Sequence, residues 1–147
     1  MVTLTDAELA RWEIAYHEAG HAVAHRVTGG KVRAVELHRN GHGVTITDED
    51  GPTPATAEGW LVMLLAGGEA QAKFLTQHHF GLGKARRYVR SSCAGDLADF
   101  RRDSRGFGIS ESAARRGAER LVRSHWRRID RAASLLLKNG RVSGSQV

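Results

Sequence analysis

His17 and His21 lie four residues apart, and Glu18 follows the first of them directly. On a helix, residues four apart share a face one turn apart, so the two imidazoles can reach the same ion. Glu18 sits one position round, where a carboxylate can polarise a water held by that ion. This is the H-E-x-x-H pattern of zinc hydrolysis. The bland alternative is a polar helix face that holds no ion.

The chemistry needs the motif on a helix, and the flanking residues supply one. Thr5 and Glu8 form a capping box, with Leu4 and Leu9 placed as a hydrophobic staple. Apolar residues recur at Leu9, Trp12, Tyr16, Ala19, Val23 and Val27, close to helical spacing, and Gly29-Gly30 supplies the stop. A helix over about Asp6 to Thr28 therefore carries His17, Glu18 and His21 in its middle.

Val32–Leu37 alternates as a strand, Asn40-Gly41-His42-Gly43 reads as a turn, and Val44–Thr47 reads as a second strand. Residues 48–53 form an acidic loop. A second helix is expected from a Thr53 cap and Pro54 through Trp60 to about Leu75, interrupted at Gly67-Gly68. Glycine inside a helix costs roughly 1 kcal/mol against alanine, and close approach of the helix bearing Ala19 and Gly20 would justify it. Residues 77–95 read as a loop. Asp96 opens a short helix that Gly106-Phe107-Gly108 breaks. Ser110 caps a last helical region, about Glu111 to Lys138, as one helix or two, and Asn139-Gly140 ends it. The expected fold is mainly α (α+β): one helical, zincin-like domain over residues 1–147 with a small β-hairpin after the motif helix.

A catalytic zinc usually has three protein ligands and a water. His25 lies one turn beyond His21, and three successive turns rise too far for one tetrahedral ion, so His25 reads as structural. Ala24 and Val27 exclude the elongated motif that ends in a third histidine. The spacing leaves Asp96, Glu69, Cys93, His42 and the pair His78-His79 open as third ligand. Asp96 also reads as a plain N-cap.

Four segments occur in one order: His17-Glu18-Ala19-Gly20-His21-Ala22, Ala66-Gly67-Gly68-Glu69-Ala70, Ser91-Ser92-Cys93-Ala94-Gly95-Asp96-Leu97, and Gly106-Phe107-Gly108-Ile109-Ser110. Over about residues 12–147 the chain resembles the peptidase domain of FtsH-type, ATP-dependent zinc metalloproteases. That family shows HEAGHA, GGRxAEE, TTGASNDL and YGMS. The resemblance implies Zn2+ as cofactor, His17, His21 and Asp96 as its ligands, and Glu18 as general base for peptide-bond hydrolysis. It implies peptide or unfolded protein as substrate, and delivery stays open between a separate ATPase, self-assembly into a ring by analogy with the family, and small substrates that are already unstructured. The strand around Val44, Thr45 and Ile46 then becomes a candidate for binding substrate backbone, against the plainer reading of a strand packed on the core. Where the family has arginine and two glutamates, this chain has Glu69, Ala72 and Lys73. Glu69 and Lys73, four apart, could pair on the surface. The alternatives are a degenerate relative that binds zinc or peptides without turnover, and a basic nucleic-acid-binding module.

Composition bounds these readings. The 147 residues suit one domain, and no G-x-x-x-x-G-K-[ST] phosphate loop is present. No run of about 18 apolar residues suggests a membrane span, and the first residues do not read as a secretory signal. The single Cys93 points to a reducing, cytoplasmic setting. Charge is uneven: residues 1–83 carry 6 basic and 10 acidic side chains, residues 84–131 carry 14 and 6. No aromatic-rich binding motif accompanies the basic half, so a solvated helical surface is favoured there over a nucleic-acid site.

Overall fold

In a computed structural model, residues 4–78 and 81–147 are described. Six helices and a three-stranded antiparallel sheet follow in the order α1 (Asp6–Val27), β1 (Val32–Leu37), β2 (Gly43–Thr47), α2 (Ala57–Thr76), α3 (Leu82–Ser92), α4 (Ala94–Asp103), α5 (Glu111–Ser124), α6 (Trp126–Asn139) and β3 (Arg141–Ser143), then a 3-10 turn at Gly144–Gln146. The expected mainly helical α+β class is the one observed.

Helix α1 starts as its sequence dictates. The Thr5 hydroxyl accepts from the Glu8 N–H, and the Glu8 carboxylate accepts from the Thr5 N–H. From Ala15 to His25 every residue of α1 is buried, so this helix is the core of the domain and not a surface helix. Helix α2 lies against it. Gly20 leaves no room for a side chain: a Cβ there would sit 2.6 Å from the Ala70 Cβ and 2.7 Å from the Ala66 carbonyl oxygen. Gly67 does the same from the other side, since a Cβ there would meet the His21 ring at 2.4 Å. The glycine pair therefore does not interrupt α2, which runs unbroken through Gly67 and Gly68. Beyond the contact, Tyr16 stacks between Phe74 and Trp126, with centroids 4.5 and 5.4 Å away, and ties α1 to α2 and α6.

Three expectations need correction. Helix α2 begins at Ala57, not at Pro54, because the Thr56 hydroxyl accepts from the Thr53 N–H and holds residues 53–56 in a turn. The expected loop at residues 77–95 contains α3. Its Ala85 and Val89, one turn apart, are buried, while Lys84, Arg87 and Arg90 are exposed. The hairpin gains a third strand: β3 pairs with β1 through Ala34–Ser143, Val35–Val142 and Glu36–Arg141. The last helical region is two helices, broken at His125, and Gly140 ends α6 with φ of 75°.

The strand order is β2-β1-β3, so β2 has one edge that is not paired within the sheet. The alternation of β1 slips at Arg33, where the register with β2 shifts. Beyond it the pairing with β2 is regular, and Ala34 and Val35 are both buried. Among the described residues no helix is long and apolar enough to cross a membrane.

Gly20→Ala should push two backbones apart. We expect a loss of about 1–3 kcal/mol of stability, read from the urea midpoint, with Gly29→Ala, which lies off this contact in a positive-φ turn, serving as a comparison of backbone cost alone.

Candidate metal centre

His17 and His21 leave α1 on the face that α2 covers. Their Nε2 atoms are 3.0 Å apart. Asp96, from the first turn of α4, brings its Oδ2 to 3.0 Å from the His17 Nε2 and 3.2 Å from the His21 Nε2. Among the described residues this trio is a group whose ligand atoms could share one ion. Asp96 is the third residue of α4, and Cys93 occupies the cap without a side-chain cap bond. The plain N-cap reading of Asp96 therefore does not describe its position.

The outer nitrogens settle what the inner ones can do. The His21 Nδ1 lies 2.8 Å from the Met63 carbonyl, which can only accept, so the Nδ1–H donates. The His17 Nδ1 lies 2.9 Å from the Gln71 Oε1. Gln71 turns its amide nitrogen to the Glu13 Oε1 at 3.1 Å, which fixes its oxygen toward His17. With both Nδ1 atoms protonated, the neutral rings offer lone pairs at Nε2. Two lone pairs and a carboxylate oxygen then face one point without a donor between them. A cation satisfies all three at once. A tetrahedral zinc with bonds of about 2.0–2.1 Å would set its ligand atoms about 3.3 Å apart, so the observed 3.0–3.2 Å needs only slight expansion. The residues present fit the ion.

Burial works against a charged imidazole at both histidines. The Asp96 carboxylate outweighs it and raises each to about 9. Burial likewise pushes Asp96 up, but the two imidazoles reverse this and hold it well below the usual carboxylate range.

Glu18 is buried, and its Oε2 accepts from the Thr45 hydroxyl at 2.8 Å. The same hydroxyl lies 3.0 Å from the Glu18 carbonyl oxygen. Gly43 makes room for this carboxylate: a Cβ there would sit 2.7 Å from the Glu18 Cγ. Thus β2 crosses over Glu18. Of the three strand residues singled out from sequence, Thr45 contacts Glu18, Ile46 is half-buried, and Val44 is exposed.

The other candidate ligands stay outside this trio. Glu69 is buried, but Arg86 and Arg115 hold it at 3.3 and 3.0 Å. It does not pair with Lys73, whose ammonium sits over the Trp126 ring at 5.2 Å. His42 is exposed, and His78 packs on Phe74. His79 falls outside the described residues. The Cys93 sulfur fills the space Gly68 leaves open and hydrogen-bonds His17, but Cys93 is not in the convergent trio. His25 is structural, as expected: its Nε2 bonds the Glu49 carboxylate at 2.7 Å and its ring packs on Trp60.

Sequence reasoning missed Gln71 and Glu13. Glu13 offered a signal, an acid four residues before His17 on the same buried face. Burial pushes its carboxyl up, while bonds from Gln71 and Tyr88 pull the other way. Gln71 gave no local sign, because its role exists only once α2 lies on α1.

Residues 8–78, just under half of the chain, match the family model described as Peptidase M50B-like. The match spans α1, β1, β2 and α2, and it stops short of Asp96. No curated protein matches the chain. The chain thus carries a metallopeptidase-like domain, matched through a family model other than the FtsH type that its four segments resemble.

Two outcomes follow for metal uptake. Gln71→Leu removes the acceptor that orients His17, and affinity for zinc should fall about 10–100-fold, measured by competition with a chelator. Ligation needs neutral Nε2 atoms, and protons occupy them more fully as the pH drops below about 9. Zinc affinity should therefore rise from pH 6 towards 9 and then level off, with proton release on uptake visible in weakly buffered solution.

Proposed function

We propose that this protein is a zinc-dependent metalloendopeptidase of the FtsH-like kind, acting on peptides and unfolded protein segments. The observation that carries the reading is the convergence of the His17, His21 and Asp96 acceptor atoms beside a buried glutamate. The Peptidase M50B-like match over residues 8–78 supports a metallopeptidase in general. The finer, FtsH-like reading is supported by the four ordered segments, the third of which contains Asp96.

A zinc ion at the trio supplies Lewis acidity, lowering the pKa of a water to about 7 and polarising the scissile carbonyl. The remaining work belongs to the chain. The Met63 carbonyl and the Gln71–Glu13 pair hold the two imidazoles in the tautomer that presents Nε2 inward. Glu18 acts as general base, taking the proton of the attacking water and returning it to the departing amine. The Thr45 hydroxyl fixes one oxygen of that carboxylate and leaves the other for the proton. The unpaired edge of β2 offers backbone groups on which an extended substrate can lie.

Purified protein should hold zinc near one equivalent and cleave an unstructured casein-like substrate, and chelation should stop cleavage until zinc is restored. Glu18→Gln should keep the zinc and lower the rate by about 10²–10⁴-fold. Equal inertness of the wild type and Glu18→Gln, both zinc-loaded, would instead support a binding relative without turnover.

A further inference from the structure

A cavity of about 420 Å³ opens beside the proposed centre, between α2, α3, α4 and α5. Asp96 and Cys93 are among its lining residues. Leu64, Leu65, Val89 and Leu97 give it apolar walls, and the first three are buried. Its size is within the range of small-molecule sites, ample for one amino-acid side chain.

The charges around it are not balanced residue by residue. Glu69 is engaged by Arg86 and Arg115, and those arginines also meet Glu119 and Glu111. That group is closed on itself and braces α2, α3 and α5. Arg90 from α3 and Arg101 from α4 also line the cavity, and among the described residues neither has an ion-pair partner. The remaining carboxylate, Asp96, is directed at the two histidines. A side chain in this cavity therefore meets apolar walls and two uncommitted guanidinium groups.

Resting on the peptidase reading above, we propose that this cavity is a specificity pocket for a substrate residue flanking the scissile bond. It selects a long side chain with an apolar stem and an anionic tip, glutamate above all. The hydrocarbon stem lies against the leucines and Val89, and the carboxylate meets Arg90 and Arg101. Lysine at the same place meets like charge.

The test uses matched unstructured peptides with Glu, Gln or Lys on each side of the cleaved bond. Cleavage is read as kcat/KM with the zinc-loaded wild type. Affinity is read with the zinc-loaded Glu18→Gln protein, so the preference is measured whether or not bonds are cut. At least one position should favour Glu over Gln by about fivefold, the scale of an exposed ion pair, and over Lys by more, with the ratio shrinking as salt rises. Arg90→Glu combined with Arg101→Glu should invert the order at that position in both readouts. Both residues are exposed, and an unchanged zinc content and circular dichroism spectrum certify the fold. Cleavage or binding that ignores charge, or a preference the double variant leaves intact, overturns the pocket assignment and leaves the peptidase reading standing. Charge-selective binding without cleavage in the wild type overturns the peptidase reading and keeps the pocket.

Discussion

Two helices must lie close enough for an imidazole to rest on bare backbone. That contact, the His21 ring over Gly67 and Gly20 over Ala66 and Ala70, sets the position of everything else at the centre. It brings the Met63 carbonyl to His21 and the Gln71 amide to His17 from the same neighbouring helix. Glycine at these places costs helix stability locally. The return is a shared face on which two buried rings point inward with their outer nitrogens already bonded.

Burying that much polarity is costly unless each group is answered. Inside α1 the answers come from different elements. Glu13 and His17 are joined through Gln71, Glu18 through Thr45, and His25 through Glu49. The Nε2 atoms of His17 and His21 and the Asp96 Oδ2 are the exception, three groups turned on one another. The contrast is informative, because the same helix satisfies its other polar side chains within the protein.

What the sequence disclosed follows the range of the forces involved. The Thr5–Glu8 box, the left-handed Gly140 and the Ser110 cap are local events, and each was legible from a few residues. The His17–His21 spacing was legible because a helix fixes it. Asp96 was reachable only through resemblance, since a gap of 75 residues carries no periodic trace. Helix α3 was hidden by glycines and serines at its ends, although Ala85 and Val89 are a sound buried pair one turn apart. Strand β3 holds a single apolar residue, Val142, and becomes a strand only because β1 is there to receive it. Glu69 looked like half of a surface pair because Arg86 and Arg115 lie 17 and 46 positions away.

Helix α4 is thinly anchored: Phe100 is the one residue on it that is buried outright. Yet it bears the carboxylate that meets the two imidazoles of the deeply buried α1. An ion at that junction would act as a rivet between the best-packed part of the molecule and one of its loosest. Occupancy then becomes a mechanical property as much as a chemical one, because free energy of coordination is added to the docking of α4 and withdrawn from it on chelation. The arm carrying α4 is where the domain would first loosen, while α1 and α2 stay clasped.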